Sequence, residues 1–61
     1  MQTLIKLSEV KTITRRSRSR IYSDMQSGHF PRAVKIGARS VAWVADEINA
    51  WVAARIAERA K

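Results

Sequence analysis

The sequence contains no cysteine, one proline, two glycines and one histidine. Without cysteine, the chain has neither a disulfide framework nor a thiolate metal site, so folding must depend on apolar packing. A chain of 61 residues forms one domain at most, close to the size at which a core alone stabilises a fold. We therefore expect a single domain over residues 1–61, with frayed ends at 1–3 and 57–61.

Catalytic groups are also scarce. His29 lies next to Gly28 and near Pro31, a context typical of a loop side chain rather than of a general base. The acidic residues are scattered, and the adjacent Asp46 and Glu47 suit the positive end of a helix. We predict a binding protein rather than an enzyme, with no cofactor, no metal and no small-molecule substrate.

Long apolar runs are absent as well. None approaches the roughly 20 residues that span a bilayer, and the start of the sequence lacks the apolar stretch of a secretion signal. This predicts a cytoplasmic protein that does not enter a membrane. In contrast, 12 Lys and Arg against 5 Asp and Glu give a net charge of +7, which favours nucleic acid, an anionic membrane surface or an acidic partner.

The first helix is predicted to follow a short apolar segment, Leu4–Leu7. Ser8 is a good N-cap residue, and Val10 and Ile13 then lie three positions apart on one helix face. With this cap the third helical position is Lys11, so we expect no reciprocal capping box.

The second helix is predicted over residues 17–27. The Ser17 hydroxyl can accept a hydrogen bond from the first turn, and Gly28 suits a left-handed C-cap. Ile21 and Met25, one helical turn apart, give this helix an apolar back. Two short helices joined by a tight turn are typical of a helix-turn-helix.

The pattern then changes to that of a hairpin. Residues 33–36 and 41–44 are predicted strands, in which Val34 and Ile36 share one face and Val41 and Trp43 share one face. Residues 37–40 are short enough for the hairpin loop. A hairpin placed directly after a helix-turn-helix is a wing.

A third helix is predicted from residue 45 to 60, with acidic residues near its start and basic residues near its end. Its apolar stripe consists of Ile48, Trp51, Val52 and Ile56. Trp43 and Trp51 are predicted core aromatics. The fold class is therefore mainly α with a small β-hairpin, a winged helix-turn-helix made of helix, turn, recognition helix, two-stranded wing and C-terminal helix.

The basic segment at the second helix is the strongest functional signal, with four arginines within residues 15–20. The major groove admits a helix with a polar leading turn, and arginine suits bidentate contact with guanine, which makes Arg18 and Arg20 the leading candidates. The alternatives are a solvated charged face for the arginines, a core position for the Tyr22 ring, and a solubilising charge at Arg39. The predicted DNA-binding residues are Arg15, Arg16, Ser17, Arg18, Ser19, Arg20, Tyr22, Ser23, Arg32, Lys35 and Arg39.

Several segments together carry a family resemblance, although each is short. In chain order they are Leu7–Val10, Ser17–Ser19, Ile21–Tyr22, Gly28–Pro31, Val34–Gly37, Ala42–Trp43, Glu47–Ile48 and Ala50–Trp51. In this order and spacing the chain resembles the AlpA family of prophage regulators, which is similar to MerR-like and excisionase-like winged helix-turn-helix domains. The resemblance implies a DNA-binding transcriptional regulator of a prophage or mobile element, with recognition helix 17–27 in the major groove and wing 32–44 on the adjacent backbone or minor groove.

Two residues depart from that family pattern. Arg15 and Arg16 stand where the family commonly has a small residue or glycine and then an apolar residue. The missing apolar residue predicts looser packing between the first two helices, and the missing glycine predicts a different turn geometry. The added charge predicts stronger sequence-independent DNA binding and a steeper salt dependence.

Other readings of the sequence remain open. The same fold suits an excisionase-like architectural factor that bends DNA in site-specific recombination. A protein-interaction adaptor could use the outer face of the third helix, and a cationic membrane-surface peptide could use residues 45–61, although basic residues are sparse there. A homodimer or cooperative assembly on double-stranded DNA fits a recognition helix that reads few base pairs.

Overall fold

The computed structural model describes residues 3–59, which form three helices and three short strands. In chain order these are β1 (Leu4–Ile5), α1 (Leu7–Thr14), α2 (Arg18–Ser27), β2 (Val34–Lys35), β3 (Val41–Val44) and α3 (Ala45–Glu58). The predicted class, a mainly α winged helix-turn-helix, is confirmed. Residues 57 and 58, expected to fray, are helical, while 1–2 and 60–61 lie outside the described part. Within 3–59 no helix is both long enough and apolar enough to cross a bilayer.

The wing is part of a larger sheet than predicted. In the described chain β3 is the central strand of three, and it pairs antiparallel with β1 on one side and β2 on the other. Ile5 lies opposite Trp43, and the Ala45 N–H donates to the Thr3 carbonyl at 2.7 Å. The first two residues of the segment predicted only as an apolar stretch, Leu4–Ile5, therefore form an edge strand that fixes the base of the wing.

The hairpin pairs as predicted, although its first strand, β2, covers only Val34–Lys35 of the predicted 33–36. Val34 pairs with Ala42, Lys35 pairs with Val41, and the Ile36 N–H donates to the Ser40 carbonyl at 2.9 Å. This last bond closes the loop at residues 37–40, as expected from its length.

The start of α1 differs from the prediction. Lys6, not Ser8, is the N-cap residue, and the helix begins at Leu7. The third helical position is then Glu9 rather than Lys11, and its carboxylate accepts the Lys6 backbone N–H at 3.2 Å. This is the acidic half of a capping box, which was not expected. The chain enters the helix early because Ile5 is held in β1.

The core takes one or more side chains from nearly every element. Its buried cluster consists of Ile5, Val10, Ile21, Phe30, Trp43 and Ile48. Among the apolar positions predicted on the helices, two are exposed: Ile13 on α1 is 42% exposed and Ile56 on α3 is 54% exposed. The apolar stripe of α3 therefore ends at Val52, because the last turns of this helix extend beyond the elements it covers.

Both tryptophans anchor the connection between α2 and β2. The Trp43 indole N–H donates to the Pro31 carbonyl at 3.2 Å, and the Trp51 indole N–H donates to the His29 carbonyl at 2.8 Å. Trp43 is fully buried, which confirms its predicted core position. Trp51 is only half-buried and packs edge-on against Phe30, with ring centroids 4.9 Å apart, so it lies at the rim of the core.

Candidate nucleic-acid interface

Helix α2 begins and ends as its sequence predicts. The Ser17 hydroxyl accepts the Arg20 backbone N–H at 3.2 Å, and Gly28 adopts a left-handed φ of 82° at the C-cap. Ile21 is fully buried and Met25 packs against the core, which fixes the rotation of the helix. The outward positions are consequently the predicted polar ones, and the exposed residues of the leading turns are Arg18, Ser19, Arg20 and Ser23.

Asp24, the acidic residue of α2, is covered and paired. Its side chain is 14% exposed and lies between two guanidinium groups. Arg16 Nη1 donates to Asp24 Oδ2 at 2.8 Å, and Arg20 Nε donates to Oδ1 at 3.2 Å and to Oδ2 at 3.3 Å. The exposed face of this helix therefore presents arginines and hydroxyls, while the Asp24 carboxylate is covered by the two arginines that pair with it.

Arg16 faces the protein as much as the solvent. Its side chain is 27% exposed, and its guanidinium carbon lies 5.0 Å from the centroid of the Trp51 ring. The same guanidinium reaches Asp24, so Arg16 connects α2 to α3 through one ion pair and one cation–π contact. An arginine can therefore occupy the position at which the pattern described above commonly has an apolar residue, because the planar guanidinium packs against an aromatic ring.

Arg15 forms the turn between α1 and α2 in a conformation that glycine favours. Its φ of 59° and ψ of 28° are left-handed, and its backbone N–H donates to the Lys11 carbonyl at 2.8 Å. The absence of glycine was expected to change the turn geometry, but the turn instead holds an arginine at a positive φ. The side chain is exposed.

A shallow groove runs between α1 and the start of α2. Its lining consists of Ser8, Lys11, Thr12, Arg15, Arg16 and Ser17. Ser8, Lys11 and Thr12 were absent from the predicted set. Lys11 had a signal in the sequence, because it lies four positions before Arg15 and so places a second cation at the same end of the first helix, whereas Ser8 and Thr12 had none.

The Tyr22 ring packs against the core. The ring meets Trp43 edge-on at a centroid distance of 6.3 Å, and the Arg18 guanidinium carbon lies 5.5 Å from the Tyr22 centroid. Tyr22 also lines a cleft with Arg32, between α2 and the segment before β2. The ring thus packs beneath the Arg18 guanidinium, and Tyr22 as a whole is partly buried.

The remaining predicted residues lie on the wing. Lys35 is on β2 and Arg39 is in the hairpin loop, and both are exposed. In the candidate interface, Arg16 and Arg20 form ion pairs with Asp24. Within residues 3–59 no carboxylate forms an ion pair with its other basic side chains, which are Arg15, Arg18, Arg32, Lys35 and Arg39. Their charge is available to an external anion.

Comparison with known proteins gives two matches. Residues 3–56 match the family described as Prophage CP4-57 regulatory protein (AlpA). The chain is also 40% identical over 58 residues to "Uncharacterized protein ORF88" of Enterobacteria phage P4. That alignment covers 95% of this chain and 66% of the phage protein, so the chain spans just under two thirds of this relative's length. The resemblance seen in the sequence is confirmed, and the chain belongs to the AlpA family of prophage regulatory proteins.

Proposed function

We propose that the protein is a sequence-specific DNA-binding transcriptional regulator of a prophage or other mobile element, acting in the cytoplasm on double-stranded DNA. The observation that carries this proposal is the exposed face of α2, where arginines and hydroxyls point outward and Asp24 is covered and paired. Such a face offers donors to base edges and phosphates without an exposed carboxylate that would repel them.

In this proposal α2 enters the major groove with its N-terminal turn leading. Arg18 and Arg20 reach base edges or phosphates, and the hydroxyls of Ser19 and Ser23 add shorter contacts. The Arg18 and Ser19 N–H groups at the start of the helix, next to Ser17, provide a further phosphate site because they precede the first intrahelical bond, whereas the Arg20 N–H is bonded to the Ser17 hydroxyl.

The turn and the first helix contact the phosphate backbone. Arg15 and Lys11 line the groove beside the start of α2, where the first helix of a helix-turn-helix crosses the backbone. Arg16 contributes charge there while its guanidinium remains paired to Asp24.

The wing provides a second contact region. Lys35 and Arg39 contact the adjacent backbone or minor groove, and Arg32, at the cleft beside Tyr22, contacts phosphate next to the recognition helix. Two copies on paired half-sites extend the sequence that is read, because a single short helix contacts few base pairs.

The deciding experiment is selection from a pool of random duplex DNA at near-physiological salt, followed by sequencing. An enriched motif supports the proposal. Retention without a motif contradicts sequence-specific regulation and favours an architectural, excisionase-like role, and no retention contradicts DNA binding altogether.

Single variants then test the assigned surface. Arg18→Ala and Arg20→Ala are expected to weaken binding to the selected site by about 1–3 kcal/mol if each arginine reads a base. Arg59→Ala removes the same charge from the exposed end of α3 and is the matched control. Equal losses in all three variants would show that net charge, rather than α2, accounts for the binding.

A further inference from the structure

Asp24 holds Arg20 by one particular edge of the guanidinium group. The hydrogen bonds run from Nε to Oδ1 at 3.2 Å and to Oδ2 at 3.3 Å, one helical turn apart on α2. A guanidinium has two edges that can donate two parallel bonds, one formed by Nε with an Nη and one formed by the two Nη groups. Because the carboxylate lies at Nε, the outer edge of Arg20 points away from it.

The exposure of the two side chains agrees with this orientation. Arg20 is 63% exposed while Asp24 is 14% exposed, so the carboxylate lies beneath the arginine and the outer edge faces solvent. Among residues 3–59, no acceptor is hydrogen-bonded to the Arg20 Nη groups. The two Nη groups at this edge can donate two parallel bonds to O6 and N7 of a guanine in the major groove.

Arg16 fixes the carboxylate in turn. Its Nη1 bonds to Asp24 Oδ2 at 2.8 Å, and its guanidinium lies over the Trp51 ring at 5.0 Å. The carboxylate is therefore held from the α3 side as well as from α2, which restricts its rotation. Arg18 has no such carboxylate: its guanidinium lies over the Tyr22 ring, 5.5 Å from the centroid, and no described carboxylate pairs with it.

We infer that Asp24 is a positioning residue, which orients Arg20 to read a guanine end-on, and that Arg20 rather than Arg18 provides this base recognition. The inference rests on the proposed function, since it names the base read by that same surface. It assigns a specificity role to a residue that does not itself contact DNA. Restricting an arginine before binding lowers the conformational entropy that is lost on binding, and it also selects the donor pair that meets the base.

The test compares Asp24→Asn with the wild-type chain on three kinds of duplex: the site selected from the random pool, variants of that site in which each guanine is replaced in turn, and an unrelated sequence. The asparagine side chain keeps the shape of the aspartate but loses the charge that holds Arg20. We expect discrimination at one guanine to fall by about tenfold, within the roughly 5- to 150-fold that one bidentate pair provides. Affinity for unrelated DNA is expected to be unchanged or slightly higher, because a negative charge has been removed.

Two further variants separate positioning from folding. In an Arg20→Gln background, Asp24→Asn is expected to cause no additional loss of discrimination, because the two residues act as one unit. Glu58→Gln neutralises another carboxylate that is paired to an arginine, on α3, and is expected to leave discrimination unchanged.

A measurement on the free wild-type protein does not depend on how well the variants fold. The Nε–H of Arg20 is expected to exchange with solvent more slowly than that of Arg18 in ¹⁵N-detected NMR, because only the former is bonded to a carboxylate. Equal exchange rates would overturn the inference.

The outcomes are distinguishable. A wild-type chain that selects no motif refutes the proposed function and this inference with it. A wild-type chain that selects a motif, together with Asp24→Asn that keeps full discrimination, refutes the inference alone. Equal losses on all three kinds of duplex, accompanied by a lower Tm, would show that Asp24 only supports the fold.

Discussion

Replacing Arg15 with glycine is expected to make the protein more stable and a weaker DNA binder at the same time. Arg15 holds a left-handed φ of 59° at the turn between α1 and α2. In this region the Cβ of a non-glycine residue lies too close to the following carbonyl oxygen, whereas glycine has no Cβ. The same side chain supplies a cation to the groove beside α2.

The size of the stability effect follows from two opposing terms. The left-handed conformation costs a non-glycine residue about 1–2 kcal/mol. Glycine loses more backbone entropy on folding, which costs about 0.5–1 kcal/mol. The difference spans about 0–1.5 kcal/mol and centres on a net stabilisation of about 0.75 kcal/mol, which corresponds to a rise in Tm of about 3–6 °C for a domain of this size.

The binding effect is measured on the same variant by titration of duplex DNA at several salt concentrations. If Arg15 contacts a phosphate, the slope of log affinity against log salt should decrease in magnitude by about 0.9. The loss should be the same on the selected site and on unrelated DNA, because a phosphate contact carries no sequence information.

Two other substitutions at this position separate backbone strain from charge. Arg15→Lys keeps both the strain and the charge, so Tm and affinity should match the wild type. Arg15→Asn tolerates the left-handed conformation without a charge, so it should follow the glycine variant in binding. A glycine variant that melts at or below the wild-type temperature would refute the strain argument, and one that binds equally well at every salt concentration would refute the phosphate contact.

Three further predictions follow from the core, the cap and the wing. Trp43→Ala should lower the free energy of unfolding by about 3–5 kcal/mol, since the ring is fully buried. Ile56→Ala, at an exposed position, should change it by less than about 0.5 kcal/mol. Equal melting temperatures of the two variants would contradict the core assignment. Ser17→Ala should cost about 1 kcal/mol in a denaturant titration through loss of the N-cap bond to Arg20, and Ser17→Asp should restore it. Arg39→Ala should reduce affinity equally for selected and unrelated duplexes and lower the salt slope by about 0.9; a loss confined to the selected site would instead assign base or shape readout to the hairpin loop.

The sequence predicted those parts of the fold that depend on neighbouring residues. Helix α2 could be bounded because Ser17 and Gly28 are strong local signals for a start and a stop, and both act in the structure as they do in isolated helices. The hairpin could be predicted because its strands alternate and its loop is short.

The features that the sequence did not predict correctly, strand β1 and the start of α1, depend on contacts between distant parts of the chain. Strand β1 has only two residues, Leu4–Ile5, too few for any pattern, and it forms because β3 offers it a free edge. That pairing moves the start of α1 to Leu7 and leaves Ser8 inside the helix rather than at its cap. Local propensity could not reveal this, because the deciding partner is in the second half of the chain.

The candidate site likewise has features that local sequence predicts and features that depend on tertiary contacts. Arg18 and Arg20 were predicted because they lie close together on a polar face, and they are exposed in the structure. The role of Asp24 could not be seen, since an acid within a basic segment has no fixed meaning until its neighbours are placed. The position of Arg16 over Trp51 likewise depends on how α3 packs against α2.

The pairing of β1 with β3 has a consequence for the order in which the domain folds. Helices α1 and α2 and the β2–β3 hairpin join residues that are near in sequence, so each can form early at a small cost in chain entropy. In contrast, the hydrogen bond from Ala45 to Thr3 and the Ile5–Trp43 pair join residues about 40 positions apart, so both helices and the hairpin lie within the loop that they close. During synthesis the first strand must therefore wait, unpaired, until β3 has left the ribosome, and the closing of this edge is the step at which the wing acquires its fixed direction relative to α2.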